Sequence, residues 1–218
     1  YRSVNIGLVN EMKIICDKLS LDIFEIINLA STKNFGFQKF LPGPGLGGHC
    51  IPIDPYYLSW KLRTLDYDAR FIKLAGEINT QMPRHVVEII SSSLNEYQKS
   101  IKGSKVLIVG VAYKRNIDDF RESPALDIIQ ILEDLGSEVN YFDPFVPIIE
   151  IGDLYHESLN NLDKSNLAEY DALVIVTDHK NVDYDLIRTN GKLIIDTRNV
   201  YYDYEGDKIK RLGQGTKT

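Results

Sequence analysis

Apolar residues recur at three- and four-residue intervals as far as about residue 101, then give way to short unbroken apolar runs. Val4, Leu8, Val9, Met12, Ile15, Cys16 and Leu19 form one stripe of a helix from Tyr1 to about Leu19. The stripe is in phase from its first residue with no capping residue ahead of it, as expected of a longer helix cut short. Ser20 is the expected N-cap of a second helix, Leu21 to Ala30, with Asp22 and Glu25 in its first turns. An aperiodic stretch runs from about Ser31 to Asp54. Asp54 and Pro55 then read as N-cap and first residue of a helix to about Leu65. Helical pattern resumes from about Arg70 to Gln98, and Pro83 inside it predicts a kink or a restart near Thr80 or Gln81.

Past Lys102-Gly103 the pattern changes. Lys105 to Val111 (KVLIVGV) is a β-branched run of the kind buried on both faces of a parallel sheet. Ser123-Pro124 caps an amphipathic helix that runs to Leu135 and is closed by Gly136. Glu138 to Phe142, Asp171 to Thr177 and Lys192 to Asp196 read as further strands, and Asp183 to Arg188 as a short helix. Strands alternating with helices predict βαβ units. The expected fold class is α/β: a helical module over residues 1–101, then a Rossmann-like parallel domain over 102–218. The last dozen residues, rich in Gly, Lys and Thr, are expected to fray.

With 218 residues, 44% of them hydrophobic, the chain is long enough for one large or two small domains. A net charge of −6 with scattered basic residues argues against nucleic acid and anionic membranes as partners. No run approaches the roughly 20 apolar residues that span a bilayer. Two cysteines make no disulfide framework, so a reducing cytoplasm is the expected setting.

Phe40 to Pro55 (FLPGPGLGGHCIPIDP) holds four of the 15 glycines, four of the eight prolines and one cysteine. Glycine forfeits backbone entropy and proline removes donors, so a packed core gains nothing from such a run. A loop whose backbone approaches a ligand does. Cys50 at its end is a candidate nucleophile, and a helix opening at Pro55 would favour its thiolate. Cys16, on an apolar stripe, reads as a small core residue. His49 is a candidate base or a packing residue, and Asp54 a cap or a carboxylate that orients water. The four histidines are dispersed, with no spacing that suits a metal.

A dinucleotide site would show G-x-G-x-x-G after the first strand. Here the turn is Gly110-Val111-Ala112-Tyr113-Lys114-Arg115-Asn116, with only the first glycine, and Asp143 merely imitates the ribose-binding acid. Lys114, Arg121 and Arg198 lie at or beyond predicted strand ends, where cations suit an anionic ligand such as a nucleotide diphosphate.

PGPGLGGHCIPIDPYYLSWK, GEINTQMPRHV, VGVAYKRNIDDFRESPALDI and DTRN resemble the UDP-sugar 6-dehydrogenases of the UDP-glucose/GDP-mannose dehydrogenase family, from Tyr1 to about Tyr201. The wording is most similar to members acting on UDP-N-acetylglucosamine. The resemblance implies oxidation of the sugar C6 alcohol to a carboxylate with two NAD, through a thiohemiacetal and a thioester on Cys50. Asp54 would help activate water. Leu41, Gly43, Gly45, Gly47 and Gly48 would cradle the UDP-sugar substrate, with Tyr113, Lys114 and Arg198 on its UDP moiety. Arg121 and Ile51 would face NAD. The helical module would be the central domain through which the protein dimerises, and the sheet domain would bind UDP. The family's NAD-binding domain and its catalytic Lys and Asn would precede Tyr1, so these 218 residues alone are expected to lack dehydrogenase activity. Asn34 stands where glucose-type members place an Arg, which argues against UDP-glucose. Two other readings stay open: a non-catalytic nucleotide-sugar-binding module, and thiol hydrolysis by a Cys–His pair.

Overall fold

The first apolar stripe folds as α1 (Arg2–Lys18), followed by α2 (Ile23–Ala30), α3 (Asp54–Arg63) and the long α4 (Arg70–Glu96). The structure, a computed structural model, describes residues 1–152, 154–204 and 206–215. Val9 and Cys16 of α1 pack against Ile23, Phe24 and Ile27 of α2, and burial pushes the Cys16 thiol pKa up, as suits a core residue. Lys13, fully buried on α1, ties that helix to α4 by touching Asp17 (2.5 Å) and His85.

The apolar runs form β1 (Lys105–Val109), β2 (Glu138–Phe142), β5 (Ala172–Ile175), β6 (Ile194–Asp196) and β7 (Ile209–Arg211), with β3 (Ile148–Ile151) and β4 (Leu154–Glu157) between. The helices among them are α5 (Pro124–Asp134), α6 (Lys164–Leu167) and α7 (Tyr184–Asn190). The five-stranded sheet has order β2-β1-β5-β6-β7 and every pair is parallel. β3 and β4 form a separate antiparallel hairpin.

One face of the sheet is covered by α5 and by α4, whose Met82, Val86, Ile90 and Leu94 share a core with Val106, Ile108 and Val174. The other face buries Leu107, Leu173 and Ile194 against Leu167 and Ile187 of α6 and α7. A helix of the N-terminal module thus does the work of a crossover helix. Its burial is what fixes the module against the sheet.

Four local expectations need correction. Asp22, not Ser20, caps α2, accepting from Phe24 N (2.8 Å) and Glu25 N (3.2 Å); Ser20 sits in the preceding turn at φ +56°. Asp54 is the first residue of α3 and its side chain caps nothing: Ile53 is the N-cap, and its carbonyl already takes Tyr56 N (3.0 Å) and Tyr57 N (3.2 Å), the donors an Asp54 cap would serve. Pro83 neither breaks α4 nor restarts it; the single helix keeps Pro83 buried. The expected frayed end is ordered as far as residue 215: β7 pairs with β6, Leu212 is buried, and Gly213 O accepts from Ile23 N (3.0 Å). Arg211 meets Asp22 (3.3 Å) and Lys210 meets Glu96 (2.7 Å), so this tail staples the sheet to the helices. Residues 216–218 lie outside the described residues. Among those described, no helix is long and apolar enough to cross a membrane.

Because Ile90 is fully buried in the core shared by α4 and the sheet, Ile90→Ala should lower stability by about 2–5 kcal/mol. Urea unfolding followed by circular dichroism measures it. A loss well under about 1 kcal/mol would show that α4 does not bear on the sheet as described.

Candidate active site

The glycine-rich loop lies across the C-terminal edge of the sheet. Its entry is fixed by Asn10, fully buried on α1, whose Oδ1 accepts from Gly43 N (3.0 Å) and whose Nδ2 donates to Asn79 Oδ1 on α4 (2.9 Å). Asn79 in turn donates to Ser3 O (3.1 Å). Further on, Gly48 N donates to Arg121 O (3.2 Å). A Cβ on Gly47 would stand 2.6 Å from Tyr113 Cβ, and one on Gly48, at φ +88°, would stand 2.8 Å from the Tyr113 ring. Only glycine allows this approach.

Beneath the loop, Arg198 follows β6. Asp196, buried at the strand end, accepts from Arg198 N and Tyr201 N (both 2.9 Å) and shapes the turn; burial pushes its pKa up. Arg198 Nε donates to Val176 O (2.6 Å), and its Nη1 lies 3.1 Å from where a Gly43 Cβ would be. Burial pushes the Arg198 pKa down, and the residue forms no ion pair among the described residues. Lys114 is exposed beyond β1, also without an ion pair among those residues. Tyr113, Lys114 and Arg198 therefore gather at one sheet edge under Gly43, Gly47 and Gly48. Two of the three are cations without partners, which is what a diphosphate requires.

Gly110, the lone glycine of the β1 turn, has a different task. At φ +82° a Cβ there would stand 2.1 Å from Thr177 O, so it serves close approach to the chain leaving β5. Asp143 imitates a ribose acid only in position: it is buried and taken up by backbone N–H groups of Val111 (2.7 Å) and Ala112 (3.0 Å).

Cys50 is exposed at the loop's far end, one turn ahead of α3. With Ile51 and Asp54 it lines a cleft of about 290 Å³ walled by Tyr1 to Val4, Pro55, Leu58 and Ile72. Ile51 also lines a cavity of about 400 Å³ on the α4–α5 side, bounded by Gly45, Glu122 and Asp127, where burial and the Glu122 charge push the Asp127 pKa up. Arg121 is exposed and paired with Asp119 through Nε (2.9 Å) and Nη2 (2.8 Å). Its side-chain hydrogen bonds bring Asp119 down to about 2. His49 Nδ1 faces the same carboxylate (3.9 Å), and no hydrogen bond joins Cys50 to a histidine among the described residues.

The expected residues thus form two groups along one loop: a clamp of Gly43, Gly47, Gly48, Tyr113, Lys114 and Arg198, and a cleft of Cys50, Ile51 and Asp54. Arg121 stands beside them under Asp119. Leu41 is half exposed at the loop's entrance and Gly45 lines the larger cavity. Sequence reasoning missed Asn10, Asp119 and His179. Asn10 had a signal, a polar residue beside Val9 on an apolar helix stripe, and so did Asp119, an acid two residues before Arg121; His179 depends on long-range contacts.

Residues 1–81 match the model of the UDP-glucose/GDP-mannose dehydrogenase family, central domain, and residues 107–203 match the same family's UDP binding domain. A UDP-N-acetyl-D-mannosamine dehydrogenase of Methanococcus maripaludis is 35% identical over 99% of this chain and 50% of its own length. A UDP-N-acetyl-D-glucosamine 6-dehydrogenase of Pseudomonas aeruginosa is 31% identical over 93% of this chain and 47% of its own length. Among solved structures, UDP-D-ManNAc dehydrogenase from Pyrococcus horikoshii superposes with a TM-score of 0.84 at 31% identity, over 98% of this chain and 49% of that one. The chain spans about half the length of the curated relatives it matches. With both its helical module and its sheet matched in order, the chain belongs to the UDP-glucose/GDP-mannose dehydrogenase family.

Proposed function

We propose that the chain is the substrate-binding and nucleophile-bearing part of an NAD-dependent UDP-sugar 6-dehydrogenase that turns the C6 alcohol of a UDP-N-acetylhexosamine into a carboxylate. Residues 1–101 serve as the central, dimerising domain and 102–218 as the UDP-binding domain. The observation that carries this is the loop itself, which runs from unpartnered cations at a sheet edge to an exposed thiol in a cleft. UDP-N-acetylglucosamine was the expected substrate. Relatives named for UDP-N-acetylmannosamine are 33–37% identical over 99% of the chain, so both N-acetylhexosamines stand as substrates.

Arg198 and Lys114 hold the diphosphate, Tyr113 and the Leu41–Gly48 backbone enclose it, and the sugar C6 reaches Cys50. The alcohol first becomes an aldehyde, losing a hydride and a proton. An aldehyde cannot readily give up a second hydride while trigonal, so the Cys50 thiolate adds to its carbon and makes it tetrahedral. Loss of a hydride and of the hydroxyl proton from that thiohemiacetal leaves a thioester. Water oriented by Asp54 attacks the acyl carbon and releases its two protons to solvent as the C–S bond breaks, so that carboxylate and thiolate separate. NAD supplies the hydride acceptor for both oxidations. The residues present suit a dinucleotide phosphate: Arg121 is exposed, its carbonyl is bonded to Gly48 N two residues before Cys50, and its Nη1 is not used by Asp119. Ile51 lines the cleft. Exposed Tyr57, Trp60, Phe71 and Leu74 on α3 and α4 offer an apolar surface for a second copy.

Cys50→Ser in the intact protein should abolish uronate formation from UDP-N-acetylglucosamine and UDP-N-acetylmannosamine, read by mass spectrometry of the products. Normal yield of the acid would sink the covalent route. Arg198→Ala should weaken UDP binding by about 10–100-fold, the scale of lost hydrogen bonds to a charged group, in calorimetric titration. The Asp119 carboxyl should titrate at about 2 by carbon-13 NMR, so the contact with Arg121 contributes fully above the ordinary carboxylate range and is lost as pH falls through about 2. A midpoint near about 3.9 would mean the pair does not form.

A further inference from the structure

Asp143 and His179 are the most completely buried charged and titratable pair at the sheet edge, and the chemistry above uses neither. Both side chains are fully buried, and they meet at 3.0 Å between Nε2 and Oδ2. One carboxylate gathers four backbone N–H groups as well: Val111 (2.7 Å) and Ala112 (3.0 Å) on Oδ2, Phe145 (2.8 Å) and Val146 (3.2 Å) on Oδ1. Burial alone would raise the Asp143 pKa, but the His179 and backbone hydrogen bonds outweigh it and hold it low.

The far side of the imidazole faces the 113–122 loop. Asn116 N lies 2.9 Å from His179 Nδ1, and a backbone N–H can only donate. Nδ1 is therefore the bare nitrogen, and Nε2 carries the proton toward Asp143. Asn116 adopts φ +62°, and its Oδ1 accepts from Lys180 N (2.9 Å), closing the loop onto the segment after β5. Within the loop Tyr113 N donates to Asp119 O (2.9 Å), and next to Lys114 the Arg115 guanidinium pairs with Asp178. The loop that carries Tyr113 and Lys114 is thus held to the segment after β5 at two places, the Arg115–Asp178 pair and the His179–Asn116 contact.

We propose that His179, oriented by Asp143, is a positioning residue for nucleoside-diphosphate binding, acting through Asn116 on the loop that presents Tyr113 and Lys114. This rests on the assignment of those two residues to the diphosphate, and the variants below separate the two ideas. A hydrophobic core role would need the ring's volume and no particular atoms; a positioning role needs one acceptor and one donor at opposite ends of the ring. Glutamine supplies both in one amide, and leucine supplies neither.

The experiment is calorimetric titration of the intact protein with UDP-N-acetylglucosamine, whose diphosphate diester keeps its charge through the working range. His179→Leu should weaken binding about tenfold or more, while His179→Gln stays within about threefold of the original. In a Tyr113→Ala/Lys114→Ala background, His179→Leu should add less than about twofold, because both groups it positions are already gone. Should His179→Leu fail to fold, His179→Phe keeps an aromatic ring, removes both nitrogens, and should weaken binding about threefold or more. Unchanged affinity in the folded His179→Leu or His179→Phe protein overturns the proposal, as does a His179→Leu loss that multiplies in full in the double-alanine background. If Lys114→Ala and Tyr113→Ala both leave affinity intact, the assignment of the site falls instead, and this proposal with it.

Discussion

The loop's backbone rests on Tyr113 where no side chain fits, and the whole site depends on that contact. A methyl group at Gly47 or Gly48 would stand 2.6–2.8 Å from Tyr113. Removing side chains there lets a strip of main chain close over the sheet edge and bring its polar groups within reach of whatever lies beneath. Glycine's freedom makes such a strip costly to order, so it must be held from outside. Asn10 does this at the entrance and Arg121 O near the exit.

What holds the strip is itself tied to the sheet. Asn10 is fixed by Asn79 on α4, and α4 buries Met82, Val86, Ile90 and Leu94 in the core of the sheet. Pro83 belongs to this arrangement. A proline inside a helix leaves the carbonyl four residues earlier without its usual donor. That carbonyl is Asn79 O, and a Cβ on Gly45 would stand 3.6 Å from this atom and 3.5 Å from the proline ring. The interrupted hydrogen bond thus lies where the loop passes. The C-terminal strand adds a second tie, with Gly213 O on Ile23 N and Arg211 against Asp22.

Unbroken apolar runs such as VLIV at 106–109 were legible as buried parallel strands because a strand covered on both faces leaves little room for polar residues. The helices were legible from their stripes, and Ser123 as a cap from its proline. The hairpin of β3 and β4 was not. Gly152-Asp153 between the strands is a two-residue hairpin signal, but the four residues on either side alternate too weakly to mark them as strands. β7 was missed because three residues among Gly, Lys and Asp are too short to show a period, and only the partner strand β6 makes them a strand. Asp54 and Ser20 show the limit of local capping rules: both have the right chemistry, but the Ile53 carbonyl at one and the Asp22 side chain at the other already take the free donors. At the site, glycines, cysteine and cations could be read in order along the chain. The roles of Asp143 and His179 could not, since they act across 31 to 63 positions, whereas Asp119, two residues before Arg121, was within local reach and was overlooked.

Pairing separates the cations into two kinds. Arg115, Arg121, Lys13 and Arg211 each meet a carboxylate, whereas Lys114 and Arg198 meet none among the described residues. Two cations at one sheet edge with no ion pair among the described residues leave room for an anionic ligand, which would gain charge-assisted hydrogen bonds in place of water. Arg121 differs because Asp119 already neutralises it, so a phosphate must compete with a carboxylate held at about 2, ionised throughout the neutral range. On the proposed function, Arg198 would grip the nucleotide beneath the loop more firmly than Arg121 grips a second phosphate. An enzyme that keeps one substrate through two oxidations while its oxidant is replaced between them would need that inequality.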